Sequence, residues 1–351
     1  MSKKLGLFII GSFFSIQVFA FEGFQFQHKD WYLVCDNTGT CRAAGYSKEA
    51  EYDNPVAVLF ERKAGPATKI SAKVFYGSES TNFGDADSPN YPRREGDWDI
   101  YHLFVNGRDH GVVKTHLNQE QVNAILSVVT SSATIKFAKG NKEWQLSDSG
   151  ASAIFRKMDE FQGRLKTPNA IVVKGKKDES TVYPEKAAPV VYNKAFQNKG
   201  VFLEQHSSLF KALFPLITND VEARKECSLF DSDDFVESAT IEKFSLDDTH
   251  SIITIDCWAG GYNITQAFWV INNFKPYEPQ FIRTGGYYRN GEISLYVKGR
   301  GIGDCGSLDS WVYNGDTFVH TRAADTGLCR AISGGGIDPM PTLVSDVKLV
   351  N

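Results

Sequence analysis

Asp97 and Asp99 flank Trp98 at the spacing of a strand, which sets both carboxylates on one face, about 6–7 Å apart at the Cα atoms. A glycosidase acid and its nucleophile can be held this way. The run Asp-Trp-Asp-Ile-Tyr is also ordinary half-buried strand, and that is the expected reading. Just upstream, positions 77–96 show no periodicity and carry Asp85, Asp87, Tyr91, Arg93 and Arg94. Aperiodic loops of this length in compact domains concentrate binding residues, so Tyr91, Arg93 and Arg94 are candidate binding residues. Asp85-Ala86-Asp87 begins like a calcium loop, but Pro89 stands where the next ligand is needed and Asn90 where the turn needs glycine. In Trp258-Ala259-Gly260-Gly261-Tyr262-Asn263, paired glycines permit close backbone approach while Trp258 and Tyr262 offer a stacking platform. Both are candidate binding residues. Trp258 is expected in the core beside a cystine, and Tyr262 at the surface.

Other chemistries are excluded by pattern. The chain has no Gly-x-Ser-x-Gly elbow, and Ser149 after Asp148 reads as a helix N-cap. Gly334-Gly335-Gly336 lacks the Lys-Ser/Thr of a phosphate loop, and Asp231, Asp233 and Asp234 read as a solvated turn. No cofactor signature is present. The seven histidines show no i, i+4 pairing and no Cys-x-x-Cys occurs, so no metal site is expected. A net charge of −4 is the wrong sign for a nucleic-acid binder.

The first residues set the address. Lys3 and Lys4 precede a short apolar stretch ending at Val18-Phe19-Ala20, the pattern of a secretory signal peptide over 1–20 with cleavage near Ala20. That stretch is too short to span a bilayer, and no later run of spanning length lacks charge. A periplasmic or secreted chain in an oxidising compartment follows, in which six cysteines favour three disulfides. Six cysteines allow fifteen pairings. Chain order makes Cys35 with Cys41, Cys227 with Cys257 and Cys305 with Cys329 the simplest set, the first closing a turn-forming loop between two strands.

Between these positions the chain alternates as strands do. Short β-branched and aromatic runs fill 31–146, with Asn106-Gly107 as a hairpin turn, and helices are predicted over 118–129 and 149–165. Composition shifts to Lys, Pro, Asn and Glu over 166–197, a linker or surface crossover. A helical patch over 205–225, broken or kinked at Pro215, precedes eight strand-like runs with Asn290-Gly291 and Asn314-Gly315 as turns. The expected fold class is α+β: an N-terminal domain over 21–165 of antiparallel sheet with packed helices, then a mostly β domain over 198–351, each disulfide-stabilised.

Lys29-Asp30-Trp31-Tyr32-Leu33-Val34-Cys35, Thr40-Cys41-Arg42-Ala43 and the run Leu146 to Ala153 leading into Met158-Asp159-Glu160, together with Cys257-Trp258-Ala259-Gly260-Gly261-Tyr262-Asn263 and Gly303-Asp304-Cys305-Gly306-Ser307, resemble an exported bacterial family catalogued as domain-of-unknown-function family eleven-seventy-six. The first half is more distantly similar to the invasion-associated locus B proteins, exported bacterial proteins linked to host-cell entry. Neither resemblance carries an active site; both imply export, and the first implies paired cysteines. The function expected is therefore a non-enzymatic binding or interaction protein of the bacterial envelope, its partner an envelope protein or a glycan. The alternative is a periplasmic hydrolase using carboxylates such as Asp97 and Asp99.

Overall fold

The computed structural model describes residues 21–49, 53–77, 100–259, 263–332 and 334–350. These are mostly β, 41% strand and 17% helical, arranged as several antiparallel sheets with packed helices. The first sheet is an antiparallel meander of β1 (Phe24–His28), β2 (Trp31–Cys35), β3 (Cys41–Tyr46), β4 (Val56–Arg62) and β5 (Ile70–Tyr76). After β6 (Tyr101–Val105) and β7 (Arg108–Val113), joined by Asn106 and Gly107 at positive φ, β8 (His116–Leu117) closes the first sheet's edge. Helix α1 (Gln119–Val128) leads into β9 (Ile135–Lys139) and β10 (Lys142–Leu146), which join β6 and β7 in a second sheet. Helix α2 (Ala151–Phe161) ends the run.

Strand alternation decides the layering. Trp31, Leu33, Ala43, Val58 and Phe60 point from the first sheet to Ile154, Phe155 and Met158 of α2 and to Leu103, Phe137 and Leu146 of the second sheet. The opposite face, with Val34, Ala44, Tyr46, Ala57, Leu59 and Phe75, is buried as well, and its cover comes from the far end of the chain: Ile332, Ile337 and Met340. The tail thus crosses back over the expected boundary between halves.

One local reading changes. Ser149 is not the cap of α2: the N-cap is Gly150 at φ 110°, with no side-chain cap, because the carbonyl of His28 sits where a Cβ would be. Asn118 caps α1, and the Gln121 side chain accepts the Asn118 amide in return, a capping box closed by an amide. The stretch after α2 is docked over its first part. Asp159 accepts the amide of Ile171 at 2.6 Å, Arg62 donates to the carbonyl of Asn169, and Arg164 donates to Gln162 Oε1 and to the carbonyl of Gly65. Arg62, Asp159 and Arg164 are buried together. Burial lifts the Asp159 carboxyl and pulls Arg164 down to about 10. The range 166–197 also contains β11 (Val190–Asn193).

The second half stacks helices on a sheet on a sheet. It opens with β12 (Val201–Leu203), α3 (Ser208–Thr218), α4 (Val221–Glu226) and α5 (Asp233–Ser238). Pro215 lies inside α3 without ending it; the break comes at Asn219, where Asp220 caps α4 by accepting the amides of Glu222 and Ala223. Then β13 (Ile241–Ser245), β14 (His250–Ala259), β15 (Ile264–Asn272) and β16 (Gln280–Thr284) complete an antiparallel sheet with β12 at its edge. One face packs Ile253, Ile255, Cys257 and Trp269 on Phe210, Leu213 and Cys227 of the helical layer. The other packs Ile252, Phe268 and Val270 on Ile293, Tyr313 and Phe318 of a further sheet. That sheet comprises β17 (Tyr287–Arg289), β18 (Glu292–Lys298), β19 (Gly306–Tyr313), β20 (Phe318–Asp325) and β21 (Met340–Leu343). The last strand, β22 (Asp346–Leu349), runs parallel to β11.

All three disulfides pair as chain order suggests: Cys35–Cys41, Cys227–Cys257 and Cys305–Cys329. No helix among the described residues is long and apolar enough to cross a membrane.

Candidate functional site

Trp258 sits one residue beyond the Cys227–Cys257 bridge, near the end of β14. It is 38% exposed, not core as expected. Burial alternates here, Ile255 and Cys257 being buried and Asp256 and Trp258 exposed, and the register shifts from Asp256↔Gln266 to Trp258↔Thr265 beside it. The buried tryptophan of this layer is Trp269, whose indole faces Asp220 at 3.3 Å. Asn263 holds the returning chain, its Oδ1 accepting the amide of Lys298 at the end of β18. Tyr262, Gly260 and Gly261 lie outside the described residues, as do Tyr91, Arg93, Arg94, Asp97, Asp99, Asp85 and Asp87.

A second constellation, which the sequence reading missed, forms where β16 faces β19 and β20. The Arg283 guanidinium carbon lies 3.3 Å from the centroid of the Trp311 ring, and His320 stacks on the same indole at 4.6 Å with planes 9° apart. His320 Nε2 meets Asp309 Oδ1 at 2.9 Å. Arg283 is oriented by donation from Nε to the carbonyl of Thr284 at 2.9 Å, and partial burial lowers its pKa. Its two Nη groups have no hydrogen-bond or ion-pair partner among the described residues, nor has the Trp311 indole N–H. Trp311 and Asp309 are half-buried and His320 is exposed. The cluster thus presents, on one surface, a fixed cation on an aromatic plane, an indole donor, an imidazole and a carboxylate. These groups recognise polar, carboxylate- or hydroxyl-bearing ligands.

One sequence signal for it existed. The Asn314-Gly315 turn sets Tyr313 opposite Phe318, and counting back places Trp311 opposite His320, as observed. Arg283 arrives from another sheet, and no local pattern announces that.

Three further features are structural. Asp304, Cys305 and Cys329 approach within ligand distance of one another, but the two sulfurs are bonded together. A shallow cleft lined by Asn193, Arg289, Glu292, Val347 and Leu349 separates the β11–β22 ribbon from β17 and β18. Asp231, Asp233 and Asp234 are exposed, as expected of a solvated segment, and Asp231 pairs with Arg224.

The chain is 23% identical over 339 residues to the "Uncharacterized protein YpfG" of Escherichia coli (strain K12), an alignment covering 90% of each protein. No solved structure matches. A family described as "Protein of unknown function (DUF1176)" matches residues 25–345, nearly the whole of the described chain, and the protein belongs to that family.

Proposed function

We propose that this protein is exported, with residues 1–20 removed as a leader, and acts in the bacterial envelope by binding a protein or glycan partner, not by catalysis. The observation that carries the binding reading is the Arg283–Trp311–His320–Asp309 surface, in which a stacked guanidinium keeps both Nη groups available. Immobilising the cation on the indole and on a backbone carbonyl removes rotamer freedom before any ligand arrives, which lowers the cost of binding. Trp258, 38% exposed near the end of β14, is a separate candidate for an apolar contact. Three disulfides support export, since such bonds persist in oxidising compartments. No observation among the described residues favours the hydrolase.

The test is affinity capture from periplasmic extract with the mature chain as bait, beside Arg283→Ala and Trp258→Ala. Capture that falls at least tenfold for Arg283→Ala, at an unchanged melting temperature, supports the reading. Equal capture by both variants and the wild type would remove this surface from the account.

A further inference from the structure

The three disulfides differ in what surrounds them. Cys35 and Cys41 are fully buried, and Cys227 and Cys257 are 1% and 0% exposed. Cys305 is buried too, but Cys329 is exposed, alone among the six. Gly299 lies directly against this bridge: a Cβ there would stand 2.6 Å from Cys305 Sγ, so only the bare backbone covers the sulfur pair on that side. The bond joins two structural parts. Cys305 immediately precedes β19, whereas Cys329 belongs to the strap that leaves β20, buries Ile332 and Ile337 against the first sheet and returns as β21.

We propose that Cys305–Cys329 is a thiol-exchange site whose partner is a dithiol reductant, with Cys329 as the sulfur attacked. One thiolate of the reductant attacks Cys329 Sγ along the disulfide axis. A mixed disulfide forms, the Cys305–Cys329 bond breaks, and its electron pair leaves on Cys305 as thiolate. The reductant's second thiolate then attacks its own sulfur in the mixed disulfide, so that the reductant leaves oxidised and Cys329 leaves as thiolate. Two protons complete the two cysteines. Access governs such exchange, and it separates this bond from the other two.

Opening loosens the strap without freeing it. Asp304 still accepts the Ala331 amide at 2.6 Å and pairs with Arg300, the Leu328 amide still donates to the Tyr46 hydroxyl, and Arg330 still reaches Asp30. The site therefore tunes how firmly the second half holds the first sheet.

Graded dithiothreitol on the folded mature protein, followed by alkylation and peptide mass spectrometry, reads the order of opening. Cys305 and Cys329 should be alkylated at least tenfold faster than the other four, with far-UV circular dichroism unchanged at that stage and faster amide exchange confined to residues 326–337. Equal rates for all six, or earlier opening of either buried bridge, would overturn the proposal. The Cys305→Ser/Cys329→Ser double variant supplies a second reading. It should fold and show that same local exchange without reductant; a variant that folds with wild-type exchange over 326–337 would overturn the coupling of bond to strap.

Discussion

Ile337→Ala tests whether the tail stabilises the first sheet. Ile337 is fully buried, packed with Ile332 and Met340 on the outer face made by Val34, Ala44, Tyr46, Ala57, Leu59 and Phe75. Removing three carbons costs about 2.4 kcal/mol of transfer free energy at roughly 0.8 kcal/mol per buried methylene. The pocket cannot close easily, because its floor is a hydrogen-bonded sheet and its roof is tied at Asp304 and Tyr46. A cavity term adds to the loss, so the total should lie in the range of about 2–5 kcal/mol. Urea denaturation measures that total, and amide exchange locates it. The amides of β2, β3 and β4, some 300 residues away in sequence, should exchange faster, since their outer face loses its cover. A loss under about 1 kcal/mol, or unchanged exchange in those three strands, would refute the claim that the tail holds the first sheet.

Other sites give independent checks. Gly150→Ala places a methyl 2.1 Å from the His28 carbonyl at φ 110°, and should cost at least about 2 kcal/mol in a thermal melt, where a change within 0.5 kcal/mol would contradict the described cap. Asp159→Ala removes the carboxylate paired with buried Arg62 and the acceptor of the Ile171 amide, and should destabilise by about 3–5 kcal/mol in urea; a neutral result would mean the cluster is solvated. Burial works against ionisation of Asp247, but hydrogen bonds from the Tyr313 hydroxyl, from Thr249 and from the His250 amide outweigh it and hold its pKa well below the usual carboxylate range. A depressed folded pKa contributes stability that is present above the unfolded value near 4 and lost as pH falls toward the folded one. Asp247→Asn should therefore destabilise at pH 7 and narrow the gap from wild type as pH drops below about 4, and a gap independent of pH would contradict this.

The extent to which the fold is legible in the sequence follows the range of the forces involved. Strands alternate within themselves, and turn chemistry is local, so β2 to β5, the Asn106-Gly107 and Asn290-Gly291 turns and the position of α1 are readable from residue order. The cysteine pairs are readable for the same reason, each bridge joining neighbours in chain order. Trp258 is misjudged because its neighbour Cys257 is buried in a cystine, whereas strand alternation sends the next side chain to the exposed face with Asp256. Pro215 is tolerated within α3 although it cannot donate to the helix ladder. The strap over the first sheet and the arrival of Arg283 on Trp311 are contacts between distant segments, fixed by packing that periodicity does not encode. The loop candidates Tyr91, Arg93 and Arg94 and the carboxylates Asp97 and Asp99 fall outside the described residues.

The binding claim meets its most direct test in intact cells. A photoreactive phenylalanine analogue placed at Ala323, which pairs in register with Asp309, probes the cluster while leaving Arg283, Trp311, His320 and Asp309 in place. The same analogue at Lys142, exposed on β10, is the control. Irradiation should give a discrete crosslinked species from Ala323 that is absent from Lys142 and is lost when Arg283→Ala is added. No adduct at Ala323, or one that survives Arg283→Ala undiminished, would contradict a binding role for this surface.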